Sequence, residues 1–175
     1  IVLMYLWSFD IFTVSRYETN LTSINSINTA IYLLDDTYQH VQVKLPEVVP
    51  SNNQYAYTFS VSNYNEEKHS DTNLKYRVHI RTTTNLPIEF DLFKTLEIDG
   101  AESYILSEDI SRDADGTFFR HIYTEENIFN YDEDDIDYYT LLFTFPEEYN
   151  NYLYSGIIEY IEINIESQQI LQSDT

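Results

Sequence analysis

Polar and apolar residues alternate with a period of two along several short segments of this chain. The clearest segment is 74–81, in which every second residue is apolar and the intervening residues are basic or histidine. Successive side chains of a strand point to opposite faces, so this pattern predicts a strand with one buried face. The residues predicted to face inward are Leu74, Tyr76, Val78 and Ile80, and those predicted to face outward are Lys75, Arg77, His79 and Arg81.

Other segments show the same period or a short apolar run, and turn residues separate them. They predict strands at 27–34, 40–45, 55–61, 86–93, 139–145 and 157–166. Residues 94–137 are less regular and predict a long excursion with short strands, and 147–156 predict a turn that holds one helical turn. About seven short strands without a helical period indicate an all-β fold, an antiparallel β-sandwich of jelly-roll or immunoglobulin-like type.

Residues 1–14 differ from the rest of the chain because they are nearly all apolar. As a helix they reach about 21 Å, which is short of the roughly 30 Å hydrocarbon core of a bilayer. As a strand they reach about 46 Å, and both conformations stay open. Residue 1 is Ile rather than Met, so we expect a processed chain or a fragment. The predicted organisation is an N-terminal assembly or anchor segment, 1–17, followed by a β-sandwich domain, 18–175.

Two interpretations of the apolar segment follow from its need for a covering surface. It is either a first strand or the end of a membrane anchor, or it is a donor strand that fills a groove in a neighbouring subunit. Burying about ten apolar side chains at roughly 1.5–3 kcal/mol each would favour a polymer before ordering costs. The residues expected to contact the neighbouring subunit are Ile1, Leu3, Tyr5, Trp7, Phe9 and Ile11.

Charge and composition narrow the classes of partner. The chain has 175 residues, a length typical of one domain, and it has no cysteine for disulfides or thiolate sites. Its formal net charge is −21, and residues 121–175 contain thirteen acids and no Lys or Arg. Binding to nucleic acid requires clustered basic side chains, so nucleic acid is not an expected partner, and an anionic membrane surface is disfavoured for the same reason. The expected partner is another copy of the chain, with membrane contact only through the N-terminal segment or its precursor.

Two acidic segments resemble cation-binding sequences. Asp113-Ala-Asp115-Gly116 has the start of a calcium-loop spacing, but position twelve is Thr124, where a bidentate acid is needed. We favour a surface turn there over a calcium site, and we expect no cofactor. The acidic run 132–135, together with Asp137, could collect divalent cations, and we favour a solvated loop.

The basic side of segment 74–81 also has two interpretations. It could dock an acidic surface, such as the base-free part of the next copy, or it could pair with acids on the adjacent strand. We favour pairing. The four histidines, His40, His69, His79 and His121, are far apart in sequence, and the chain has no His-Glu-x-x-His spacing. We therefore predict no catalytic residue and no enzymatic activity.

The order of motifs from residue 15 onward resembles a set of small exported proteins of Gram-positive, Firmicutes-type bacteria. The motifs are Ser15-Arg-Tyr17, Pro50-Ser51 with the segment 57–63, the segment 81–87, and the terminal strand, 157–167. These proteins depend on the W-type signal peptidase and belong to the neighbourhood of camelysin and TasA. The resemblance implies a β-sandwich at the cell surface, and some such proteins form biofilm fibres. Camelysin has been described as a metalloprotease, but this chain lacks matching ligands, so no catalytic residue is carried over.

These observations together predict a non-enzymatic structural subunit of an extracellular, pilus-like filament or surface layer of the biofilm matrix. The subunit would assemble with itself through its apolar N-terminal segment. The alternative is a membrane-tethered extracellular binding module that acts as a monomer, in which residues 1–14 are the end of the anchor.

Overall fold

The computed structural model describes residues 27–34, 39–43, 48–51 and 53–170. Within these ranges the chain forms ten strands, and the helical structure consists of two short 3₁₀ helices, Glu147–Tyr149 and Tyr152–Tyr154. No helix in this part of the chain is long and apolar enough to span a bilayer. The strands are β1 (Thr29–Tyr32), β2 (Gln39–Gln42), β3 (Gln54–Ser62), β4 (Asn73–Thr83), β5 (Glu89–Phe93), β6 (Ser107–Arg112), β7 (Phe118–Tyr123), β8 (Asn127–Phe129), β9 (Ile136–Thr144) and β10 (Ile161–Ile170).

The strands form two sheets that pack as a β-sandwich, so the predicted fold class is confirmed. The first sheet has the order β1-β3-β9-β5, and the second has the order β2-β10-β4-β7-β6, with β8 also paired to β4. The pairing of β1 with β3 is parallel, and the other strand pairs of the described residues are antiparallel. The reason lies in the connection, because the chain crosses to the second sheet to form β2 before it returns as β3.

The core lies between the two sheets and follows the predicted alternation. Leu74, Tyr76, Val78 and Ile80 of β4 are at most 1% exposed, and they pack with Ile161, Ile163 and Ile165 of β10. Residues Phe59 and Val61 of β3 and Tyr139, Leu141 and Phe143 of β9 belong to the same cluster. The four residues that alternation predicted to face inward on β4 are therefore all in the core.

The predicted alternation on β3 is incomplete, because residues on its second face are also buried. Thr58 is 1% exposed and Ser60 is 4% exposed. The Oδ1 atom of Asn28 accepts hydrogen bonds from both the backbone N–H and the hydroxyl of Thr58, each at 2.9 Å. Short polar side chains therefore lie inside because neighbouring groups satisfy their hydrogen bonds.

The acidic segment 132–137 divides into two parts. Asp132, Glu133 and Asp134 are exposed, as predicted for a solvated loop. Asp137 is different, because its carboxylate accepts a hydrogen bond from Tyr76 and lies 2.9 Å from Nζ of Lys94. The Tyr76 hydroxyl is also 2.8 Å from the hydroxyl of Tyr139. The side chains of Tyr76, Asp137 and Tyr139 therefore join β4 to β9 across the core. The prediction of a solvated Asp137 is therefore wrong, and burial raises the pKa of both tyrosines.

Candidate functional site

The outer face of the second sheet carries a dense group of charged and titratable side chains, which we call the polar face. Antiparallel register places these residues on one side, because residues directly opposite each other share a face. Arg81 pairs with Glu162 of β10 and with His121 of β7, and Arg77 pairs with Glu166. The polar face consists of Arg77, His79, Arg81, Asp109, Ser111, His121, Tyr123, Glu162 and Glu166.

The basic residues of β4 are ion-paired with nearby acids. Nε of Arg77 donates to Oε2 of Glu166 at 2.6 Å, and Nη2 of Arg81 donates to Oδ2 of Asp113 at 2.8 Å. A second nitrogen of Arg81 lies 3.9 Å from Glu162. The cross-strand pairing predicted for this stripe is thus confirmed for β10, and Asp113 adds a partner from the β6–β7 turn. Partly exposed pairs of this kind contribute about 0.2–1 kcal/mol each.

Two histidines that are 42 residues apart meet on the polar face. Nε2 of His79 lies 2.9 Å from Nδ1 of His121, and the ring centroids are 5.1 Å apart. Tyr123 stacks on His79 at a centroid distance of 4.5 Å. Sequence analysis missed this pair because its formation depends on the register of β4 against β7. Alternation within 118–123, which places Phe119, His121 and Tyr123 on one side, was the available signal.

The histidine pair extends in both directions to form a chain of four polar side chains, which we call the relay. At one end, Oγ of Ser111 on β6 lies 2.7 Å from Nε2 of His121. At the other end, Nδ1 of His79 lies 3.2 Å from Oε1 of Glu166, an ion-pair distance with poor hydrogen-bond alignment. The relay is therefore Ser111–His121–His79–Glu166, and it crosses β6, β7, β4 and β10.

The carboxylate of Glu166 sets the direction of the protons along the relay. A carboxylate accepts hydrogen bonds, and this one already accepts from Arg77, so the Nδ1 atom of His79 that faces it carries the proton. Nε2 of His79 then accepts from Nδ1–H of His121. Nε2 of His121 is left to accept the hydroxyl proton of Ser111. Each proton thus lies on the side of its group that faces Glu166, which is the order required to draw a proton away from a serine hydroxyl.

Burial controls the protonation of the inner histidine. His79 is 9% exposed, and this burial lowers its pKa below the ordinary histidine value, although the Glu166 carboxylate opposes the shift. His79 is therefore neutral near pH 7, as the relay requires. Ser111 is exposed at the other end. The arrangement thus connects a solvent-facing hydroxyl to a shielded imidazole.

The predicted calcium-like segment is a hairpin turn between β6 and β7. Gly116 N–H donates to the carbonyl of Asp113 at 2.9 Å, and Gly116 has a φ of +94°. Thr117 N–H donates to the Asp115 carboxylate at 2.9 Å. The preferred interpretation as a surface turn is confirmed. In the part of the chain that the structure describes, three or more metal-binding side chains do not converge on any one point.

The second candidate surface is β6, which is an edge strand of the second sheet among the described residues. All six residues of β6 are exposed, and Ile110 retains 65% of its accessible surface. Ile110 lies opposite Arg120, on the same face of the sheet as Ile122, which is buried in the core. It is therefore an inward-facing residue that nothing in the described ranges covers well.

The arrangement of the sheets explains this exposure. Arg120 of β7 donates to the carbonyl of Ile88 at 3.0 Å and lies 5.8 Å from the ring of Phe90, so β7 lies over β5. β5 is the last strand of the first sheet, whereas the second sheet continues by one more strand, β6. β6 therefore overhangs the sandwich, and we call this strand with its inward side the overhang.

The residues predicted to contact a neighbouring subunit, Ile1, Leu3, Tyr5, Trp7, Phe9 and Ile11, lie outside the described residues. The expected role of the segment 1–17 therefore stays a prediction. No protein-family model matches this chain, and the comparison with curated proteins gives no match. The resemblance to exported Firmicutes surface proteins likewise stays a prediction.

Proposed function

We propose that this chain is a structural subunit of an extracellular bacterial filament or surface layer that assembles with other copies of itself. In this proposal, the apolar residues 1–14 of one copy add as a strand to the overhang of the next copy. The observation that carries the proposal is the overhang, because an edge strand with an exposed inward face is suited to accept an added strand.

The overhang offers two kinds of contact to an incoming strand. In an antiparallel sheet the backbone groups of an edge strand that do not bond its neighbour point outward, so β6 can pair with a new strand along its free side. Ile110 is 65% exposed and Leu106, just before β6, is 61% exposed. An apolar strand could cover both side chains, and full burial of each would contribute roughly 1.5–3 kcal/mol.

Electrostatic repulsion opposes this assembly. Each copy has a formal net charge of −21, so copies repel at low ionic strength. Salt reduces this repulsion because the Debye length falls to about 8 Å near 0.15 M. We therefore expect assembly to be faster with added salt or divalent cations.

The direct test is negative-stain electron microscopy with sedimentation of the full chain and of a version that starts at Glu18. Filaments or sheets from the first, with folded monomers from the second, would support the proposal. Circular dichroism of both proteins checks that the shorter one keeps its β structure. A full chain that stays monomeric at every salt concentration would contradict the proposal.

A point variant of the full chain tests the overhang itself. Ile110→Asp places a charge where the added strand would pack and should abolish or strongly slow assembly. Ile128→Asp is the matched control, because Ile128 is similarly exposed, at 61%, and lies on β8 away from the overhang. Equal assembly of the two variants would show that the overhang is not the acceptor.

The polar face favours a second candidate, a membrane-tethered extracellular binding module that acts as a monomer. Arg77, Arg81 and their acidic partners form a partly exposed charged surface that a ligand or another protein could contact. This alternative predicts that the full chain stays monomeric and that the version starting at Glu18 keeps its binding. The microscopy and sedimentation experiment therefore distinguishes the two candidates.

A further inference from the structure

We propose that Ser111 is a nucleophile that reacts with small carboxylic esters, with His121 as its general base. The inference goes beyond the structural role proposed above and rests on different residues. It is carried by the relay, in which four side chains from four strands form one chain of polar contacts.

The hydroxyl of Ser111 has the two properties that a nucleophile needs. It is within hydrogen-bond reach of a base, because Oγ lies 2.7 Å from Nε2 of His121. It is also accessible, because Ser111 is exposed on the strand at the end of the sheet. A serine hydroxyl is a weak nucleophile alone, and a base at this distance that removes its proton activates it.

His121 is held in the orientation that a general base requires. Its Nδ1 atom donates to His79, and His79 is held between Glu166 and the ring of Tyr123. This fixes the tautomer in which Nε2 of His121 is free to accept a proton. His79 and Glu166 do not contact Ser111, so they are positioning residues.

A guanidinium stacks on the residue that pairs with Ser111. The guanidinium of Arg81 lies 3.6 Å from the ring centroid of Phe119, and Phe119 is directly opposite Ser111 in the β6–β7 pair. Asp113 holds the same guanidinium at 2.8 Å. A cation at this position would stabilise negative charge that develops on the carbonyl oxygen of an ester.

The reaction step conserves atoms and charge. The Ser111 oxygen attacks the ester carbonyl carbon while His121 Nε2 takes the hydroxyl proton, which gives a tetrahedral oxyanion. The oxyanion then collapses, the alcohol leaving group departs with the proton from His121, and the acyl group stays on Ser111. Attack of water on this acyl-serine, with His121 again as base, releases the carboxylic acid and restores the hydroxyl.

The experiment uses the full chain and p-nitrophenyl acetate as the probe. Nitrophenol release is measured, and peptide mass spectrometry locates any acetyl group. We expect acetylation at Ser111. After subtraction of the background rate, Ser111→Ala should release nitrophenol about tenfold more slowly than the unchanged chain, or slower still, since base-assisted catalysis typically contributes 10²–10⁴-fold. Ser107→Ala is the matched control, because Ser107 is also exposed on the same face of β6, and its rate should be unchanged.

Variants of the relay separate its roles. His121→Gln should lower the rate about as far as Ser111→Ala does. Glu166→Gln should lower the rate less and change its pH profile, because it removes the carboxylate that orients His79 and leaves Ser111 and His121 in place. Circular dichroism and thermal melting confirm that each variant is folded.

Two results would overturn the inference. One is a folded Ser111→Ala protein that reacts as fast as the unchanged chain, and the other is acetylation spread equally over Ser111 and Ser107. Neither result bears on assembly, because Ser111 lies on the outer face of β6 whereas Ile110 lies on the inward face. The structural proposal can therefore fail or hold independently.

Discussion

β4 and β6 belong to the same sheet, yet the same kind of residue has opposite surroundings on the two strands. Ile80 on the inward face of β4 is 0% exposed, whereas Ile110 on the inward face of β6 is 65% exposed. β4 is central and lies against β9, while β6 extends past the last strand of the first sheet. Burial is therefore decided by what the opposite layer provides, and alternation within one strand gives only the direction of a side chain.

The largest expected change in the free energy of unfolding comes from shortening an apolar side chain in the core. Ile80→Ala should lower the free energy of unfolding by about 2–5 kcal/mol, because it removes buried methyl groups and leaves a cavity. Ile110→Ala should change it by less than about 0.5 kcal/mol, as is usual for exposed positions. Urea unfolding under conditions where the chain is monomeric measures both values. Similar losses for the two variants would contradict the assignment of β6 as an overhang.

This contrast shows how much of the fold the sequence could predict. The inward residues of β4 were predicted because a strong period of two coincides with its central position. β6 and β7 were expected only as short strands of unspecified position. Residues 107–112 contain one apolar residue, Ile110, and so give no period of two. The parallel pairing of β1 with β3 depends on which sheet receives β2, and local sequence does not contain that information.

The candidate site was less predictable than the core. The basic stripe of β4 and its acidic partners could be inferred, because opposite charges on adjacent outward faces favour pairing. The relay could not be inferred, because it needs the registers of β4 with β7, of β6 with β7 and of β10 with β4. Distance in sequence made His79 and His121 look unrelated.

The second prediction concerns polar groups on the inward side of β4. Tyr76→Phe removes a hydroxyl that donates to Asp137 and contacts Tyr139, and so leaves buried groups with fewer partners. We expect a loss of about 1–3 kcal/mol in the free energy of unfolding. Tyr131→Phe is the matched control, because Tyr131 is 48% exposed, and it should change stability very little. An equally small effect of Tyr76→Phe would show that the hydroxyls across the core add no stability.

The third prediction concerns the pH dependence that His79 adds. Its pKa is lowered in the folded protein, mainly by burial, so below about pH 6.5 the unfolded chain binds more protons at this residue. Stability from His79 is therefore present above the unfolded pKa and is lost as the pH falls toward the folded pKa. The free energy of unfolding of His79→Gln should fall less than that of the unchanged chain between about pH 7.5 and 5.5. Equal falls for the two proteins over this pH range would contradict this account of His79.

The smallest expected effect on stability is at Lys75, although Lys75 also lies on the central strand β4. Nζ of Lys75 lies 3.1 Å from Glu126, but the Lys75 side chain is 35% exposed and that of Glu126 is 61% exposed. Solvent and salt screen such a pair, so a double-mutant cycle with Lys75→Met and Glu126→Gln should give a coupling of about 0.2–0.5 kcal/mol. The coupling should fall further in high salt. A coupling above about 1 kcal/mol that salt does not reduce would mean that the outer face of β4 excludes water more than its exposure indicates.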